Sequence, residues 1–313
     1  MMPSLLRNAL LATSLLLGLP GLAQASLGAT VQDLALGLEQ RLAGLDTRDI
    51  QVGDHRWHLH TRHLNSPLPC IVMVHGFTAR AAHWFRVARR LPDDRCVIAV
   101  DLPGFGASTY MPGAAYDPDT QADRLQALLK ALPRGNDRVD LIGNSMGGFV
   151  IATFALRHPQ MTRSLALLDA AGVSSPTPSE LRRNIAAGRN GFFAKDMASF
   201  RQFYAMTMHQ PPFVPGFVLE AVGEQAIARV PRHQAIFDQL NGPRLDARLG
   251  EIRVPTLIVW GDKDRLLDVS MVSVWRRIAG SQVTLLKDVG HMPHLEVPAL
   301  TAERYTSFLQ GLH

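Results

Sequence analysis

A chain of 313 residues, 47% hydrophobic and 19% charged with a formal net charge of +5, is long enough for one sizeable core carrying an insertion. It holds no apolar run of 18 residues or more, which excludes a polytopic membrane protein. The basic residues are scattered without interleaved aromatics, which excludes nucleic acid as a partner. Two cysteines, Cys70 and Cys96, build neither a disulfide scaffold nor a Cys-rich zinc site.

Residues 1–25 read as an export signal or a retained membrane anchor. Arg7 supplies a positive start, Ala9–Leu19 is apolar and ends at Pro20, and Ala23-Gln24-Ala25 gives a small-x-small cleavage pattern. The chain is therefore expected outside the cytoplasm, periplasmic or at a membrane facing the periplasm if bacterial. Over residues 26–46, Leu27, Val31, Leu34, Leu38, Leu42 and Leu45 recur at steps of three and four, the stripe of an amphipathic helix. Two placements compete: packing on the domain, or lying on a membrane surface.

From residue 47 short β-rich runs alternate with helical patterns, the signature of an α/β fold with a mostly parallel sheet covered on both faces. Eight strands are expected: Asp49–Val52, Trp57–Arg62, Ile71–His75, Val97–Asp101, Val139–Gly143, Ser164–Leu168, Thr256–Gly261 and Val283–Leu286. Helices fit at 81–91, 120–132, 146–157, 269–279 and 297–310. Cys70 and Cys96 each precede a strand end by five residues, at one level near the amino edge of neighbouring strands. The demanding geometry of a bridge there favours two buried thiols. The rhythm breaks over residues 173–253, a Pro-rich stretch with seven of the thirteen Phe. It reads as a helical cap inserted between the core segments 47–172 and 254–313.

Gly143-Asn144-Ser145-Met146-Gly147 lies between an apolar strand and a helix, the setting of a strained turn that lifts a nucleophilic hydroxyl clear of the sheet. A serine hydroxyl needs an imidazole base, and that base needs a carboxylate to fix its tautomer. His291, just past the last strand, stands at the correct sheet edge; His294 is its nearest rival. Asp264, with enough loop to cross to His291, is the acid, ahead of Asp262 and Asp169, while Asp268 caps the helix that follows. Donors for the oxyanion fall to the backbone N–H groups of Met146 and of Phe77, in the turn after the third strand.

These residues, with Asp101–Ser108 and Trp260–Asp264, carry a resemblance to the α/β-hydrolase superfamily over roughly residues 42–312. Leu42–Leu45 and Val254–Val269 are similar to the membrane-associated monoacylglycerol lipases and lysophospholipases and to related bacterial lipases. That resemblance implies Ser145 as nucleophile, Asp264 and His291 as its partners, Phe77 and Met146 as oxyanion donors, and no metal or organic cofactor. The implied activity is hydrolysis of carboxylic esters with a hydrophobic acyl group, such as a monoacylglycerol or lysophospholipid, with possible contact to a membrane surface. Two alternatives accompany it. Gly143–Gly148 also resembles the carbon–carbon bond hydrolases of ring-fission products, although Met292 stands where that family usually has Trp. A non-catalytic binding protein on the same fold is the other, against which the complete triad argues.

Overall fold

A computed structural model of the chain describes residues 21–135 and 137–312, with side chains from Leu27 onward. The expected export segment lies almost wholly outside the described residues; the backbone of its last five, with the Ala23–Ala25 pattern, is helical. Helix α1 spans Gly21–Leu42. Among the described residues no helix is long and apolar enough to cross a membrane.

The sheet has eight strands: β1 (Asp46–Val52), β2 (His55–Arg62), β3 (Ile71–Val74), β4 (Val97–Asp101), β5 (Val139–Asn144), β6 (Thr162–Leu168), β7 (Thr256–Gly261) and β8 (Gln282–Leu286). Their order is β1-β2-β4-β3-β5-β6-β7-β8. The first hairpin is antiparallel, β2 joins β4 antiparallel, and the remaining pairs are parallel. Strands β3, β4, β5 and β7 are buried along their whole length, as continuous apolar runs require when helices cover both faces. Alternation divides them: Val72 and Val74 join one core cluster, Ile71 and Met73 the other. Edge strand β1 is exposed and carries Asp46, Arg48 and Asp49, charges that discourage edge-to-edge pairing.

Most expected elements stand within a few residues of their places. The 81–91 helix is a tight turn, Ala81–Trp84, followed by the short α2 (Phe85–Ala88). Helices α3 (Pro118–Ala131) and α4 (Met146–Arg157) follow β4 and β5. Between β6 and β7 the chain leaves the sheet for α5 (Glu180–Ala186), α6 (Met197–Thr207), α7 (Gly216–Ala228) and α8 (Val230–Phe237). The expected 269–279 helix shrinks to α9 (Met271–Trp275), and the chain closes through α10 (Pro293–Glu296) and α11 (Pro298–Gln310).

Two expectations need correction. Cys70 and Cys96 form a disulfide, with Cα atoms 4.4 Å apart. Both residues sit just before the first paired positions of β3 and β4, Ile71 and Val97, so the bridge closes beyond the regular ladder and escapes its spacing constraint. The leucine stripe also divides. Leu45 is buried, whereas Leu34, Leu38 and Leu42 are exposed. Helix α1 docks through a different face, with Gly28 against α7 and Leu36 against the core. A Cβ at Gly28 would lie 2.2 Å from the Phe217 carbonyl oxygen, so only glycine lets the two helices meet this closely. Packing on the domain and presenting a leucine row outward are therefore compatible.

Candidate active site

The site lies where the strand order reverses around β3, at the carboxyl ends of β3 and β5, which is where open α/β sheets bind ligands. Ser145 links β5 to α4 with φ 56° and ψ −120°, a backbone strain that a β-bearing residue adopts only when its surroundings enforce it. They do. A Cβ at Gly147 would come 2.2 Å from the Val74 carbonyl oxygen, and one at Gly143 would come 2.6 Å from the Gly147 backbone. The Ser145 N–H donates to the Leu168 carbonyl and its own carbonyl accepts from the Ala171 N–H, both at 3.0 Å. The serine is thus pinned on both sides of a turn that keeps its side chain half-exposed.

His291 follows β8 and is nearly buried. Its Nδ1 stands 2.7 Å from Asp264 Oδ2, and Asp264 Oδ1 accepts the Leu266 and Leu267 N–H groups at 2.8 and 3.0 Å. With Nδ1 committed to the carboxylate, Nε2 is left as the basic nitrogen. The rivals are accounted for. Asp262 accepts the Asp288 N–H at 2.7 Å and the Lys263 ammonium at 3.2 Å, holding a local turn. Asp268 accepts the Ser270 N–H at the start of α9. His294 is fully buried and stacked on Trp84 with centroids 4.6 Å apart, and burial pushes it well below the usual imidazole range.

Asp169 is closer to the chemistry than the sequence suggested. It follows β6 directly with φ 43°, and its carboxylate, the Asp264 carboxylate and the His291 ring offer atoms within 4.8 Å of one another. Oδ1 accepts the Gly261 N–H at 2.9 Å, while buried Oδ2 faces no donor. Burial first, and the Asp264 charge second, push the Asp169 carboxyl well above the ordinary range. Two adjacent buried carboxylates resist ionising together, which favours the protonated form of this one.

The Phe77 N–H has no acceptor among the described residues, and Met146 opens α4, where the first N–H groups lack intrahelical partners. A Cβ at Gly76 would stand 3.2 Å from the Ser145 Cβ, so this turn abuts the nucleophile. Two residues that sequence reasoning did not single out as positioning groups hold it. His75 is fully buried; its Nε2 accepts the Leu102 N–H at 3.1 Å, which leaves Nδ1 to donate to the Gly76 carbonyl at 2.7 Å. In a trans peptide the carbonyl and the next N–H point in opposite directions, so fixing the Gly76 carbonyl aims the Phe77 N–H. Asn144 donates to the His291 carbonyl at 3.0 Å and to the Leu168 carbonyl at 3.2 Å, tying the histidine loop to the serine turn. An Asn beside a nucleophile turn carries no signal of that kind in one sequence.

Two cavities meet at Ser145 and His291. One, of about 430 Å³, is walled by Phe77, Met146, Phe149, Leu181, Phe237 and Met271. The other, of about 310 Å³, runs beneath α1, with Gln32 and Leu36 above and Arg80, Phe203 and Arg229 along its sides. Phe77 packs edge-on to Phe192, 5.0 Å between centroids, so the segment between β6 and β7 contributes its aromatics to the site. Phe213 does not take part; it is 91% exposed.

Such an arrangement can carry out acyl transfer through a serine ester. The sequence compares accordingly. Residues 71–304 match the model of the alpha/beta hydrolase family. The chain is 30% identical to "Lipase 1" of Psychrobacter immobilis over 76% of each chain. It is 27% identical to a monoacylglycerol lipase of Homo sapiens, covering 88% of this chain and 85% of the relative. Among solved structures, a membrane phospholipase A described as a bacterial virulence factor superposes with a TM-score of 0.86 at 35% identity, over 99% of both chains. The chain belongs to the alpha/beta hydrolase family.

Proposed function

We propose that the protein is a serine hydrolase of lipid carboxylic esters with a hydrophobic acyl group, acting from a membrane surface. The observation that carries this reading is the 2.7 Å pair of His291 and Asp264 beside a strained Ser145, opening into a largely apolar cavity. The lipases and the phospholipase among its relatives support the substrate class. In this reading His291 Nε2 takes the Ser145 proton as Oγ attacks the ester carbonyl, and Asp264 stabilises the imidazolium that forms. The Phe77 and Met146 N–H groups receive the oxyanion, each worth several kcal/mol in such sites. His291 returns the proton to the leaving alcohol, and water then cleaves the acyl-enzyme by the same route. Residues 173–253 act as the cap over the acyl group, and residues 1–25 direct export or remain as an anchor.

The leucine row of α1 gives the surface role a structural basis. Leu34, Leu38 and Leu42 face outward while the opposite side of the helix roofs the second cavity. A helix lying in the interface would deliver lipid directly beneath itself. Labelling with a fluorophosphonate probe, in wild type and in Ser145→Ala, tests the nucleophile. Hydrolysis across monoacylglycerols, lysophospholipids, p-nitrophenyl esters and ring-fission dienones tests the class. Labelling that persists in Ser145→Ala, or turnover of the dienones alone, would refute the reading.

A further inference from the structure

Cavities at an ester-hydrolysing serine divide the substrate. The acyl chain and the leaving alcohol diverge from the carbonyl carbon, and here two cavities diverge from Ser145. The one beneath α1 has a charge character that an acyl chain does not need. Arg80, three residues beyond the oxyanion turn, and Arg229, at the end of α7, both line it. Both are half-buried, and neither makes an ion pair or side-chain hydrogen bond among the described residues.

The nearby carboxylates are already engaged. Glu39 of α1 is held by Arg86 at 2.7 Å. Asp101 accepts the Ala81 and Ala107 N–H groups at 2.6 and 2.7 Å. Asp33 is exposed. His233, on the same wall, is lowered to about 4 by burial first and then by Arg232 and Arg229, so it is neutral at pH 7. Burial also makes the Arg80 charge costly; the Asp101 field relieves part of that cost, Arg229 adds repulsion, and Asp33 adds a smaller attraction. Two half-buried guanidinium groups that repel one another, with no ion pair of their own among the described residues, are an electrostatic liability that the Asp101 and Asp33 fields relieve only in part. An anion between them would remove it. Arg182 and Arg244, at the other cavity, are more exposed, although burial first and Arg182 second also lower Arg244.

We propose that Arg80 and Arg229 form a phosphate subsite for the leaving group, which selects acyl-glycerophosphate lipids over neutral glycerides. This rests on the ester-hydrolase reading above and adds its head-group specificity. Guanidinium forks match the oxygens of a phosphodiester, and Arg80, Arg229 and Ser145 line one cavity. The acyl chain then occupies the cavity walled by Phe149 and Leu181.

The experiment compares 1-lauroyl-glycerol with 1-lauroyl-lysophosphatidylglycerol, the same acyl ester without and with a phosphate, at submicellar concentration so that membrane attraction plays no part. The wild type is expected to favour the phospholipid. Arg80→Gln and Arg229→Gln should each reduce the ratio of the two kcat/KM values by about tenfold or more, as loss of a charge-assisted hydrogen bond does. Inorganic phosphate should inhibit wild type competitively at constant ionic strength, and the double variant much less. Arg229→Gln, remote from the oxyanion turn, carries the test alone if Arg80→Gln disturbs folding. Equal losses on both lipids, or no preference in wild type, overturn the subsite while leaving the esterase intact. Inhibition by decanoate but not phosphate, relieved in the same variants, overturns it in favour of a site for the product carboxylate. A wild type that cleaves neither lipid refutes the esterase reading itself.

Discussion

Replacing Leu34, Leu38 and Leu42 together by Ser separates the two things that α1 does. The three side chains are 69%, 56% and 53% exposed, so their removal takes little from the packed domain. Fully burying a leucine is worth about 1.5–3 kcal/mol, and the exposed portions of the three amount to between one and two whole side chains. Insertion of the row into a bilayer interface therefore contributes on the order of 3 kcal/mol, or about a hundredfold in partitioning. Liposome flotation of protein lacking residues 1–20 should show that loss in the triple variant. Its melting temperature and its activity on a soluble p-nitrophenyl ester should stay close to the parent. Deleting the whole helix is a poorer test, because Gly28 seats it on α7 and Glu39 ties it to Arg86. Such a deletion unroofs the second cavity as well as removing the leucines. If the triple variant floats as the parent does, the leucine row is an ordinary exposed surface and the surface role falls.

Asp264→Asn should reduce kcat by several orders of magnitude on every ester, whereas Asp262→Asn, which disturbs only the turn at Asp288, should leave it within a few-fold; steady-state kinetics of the pair decide, and the reverse ranking refutes the assignment. Asp169→Asn keeps an acceptor for the Gly261 N–H and supplies a donor to Asp264. Because the wild-type carboxyl is raised in the fold, wild-type stability from this group is complete below about pH 4 and declines as pH rises through the raised value. The variant lacks that decline, so its melting-temperature advantage should grow between pH 4 and pH 8; parallel curves would show an ionised Asp169. Reducing the Cys70–Cys96 bridge, or replacing both by Ala, opens a crosslink with a sequence separation of 26. The expected loss is about 3.5 kcal/mol in urea unfolding, and two titratable thiols in the non-reduced, unfolded wild type would show that no bridge exists.

What the sequence made legible was whatever local chemistry dictates. The central strands could be placed because β3, β4, β5 and β7 are buried on both faces and so are mostly apolar, with Asp140, Asn144 and Asp101 as buried polar exceptions. Ser145 could be found because its turn admits only glycine at 143 and 147. Asp264 and His291 could be placed because the ends of parallel strands converge on one edge, and loop length selects which carboxylate reaches across. Short helices were overestimated where a turn, as at Ala81–Trp84, carries the same spacing as the start of a helix.

The remainder depended on contacts between distant segments. Leucines at helical spacing mark a face without saying what it faces, and Gly28, which fixes the docking side of α1, reads in isolation as a weak point of the helix. The bridge between Cys70 and Cys96 closes just before the first paired positions of the ladder, where the spacing of the backbones is not given by register alone. Asp169 is the clearest case. Its position after β6 made it a rival for the acid, a choice between two residues. The fold makes it a neighbour of the acid: burial first, and the Asp264 charge second, raise its carboxyl well above the ordinary range, which favours its protonated form. Sequence reasoning posed the two carboxylates as alternatives because it had positions without distances. At a separation within 4.8 Å the ionisation of one depends on the other, so the His291 partner is better described as a pair of carboxyl groups, of which Asp264 makes the contact to the ring.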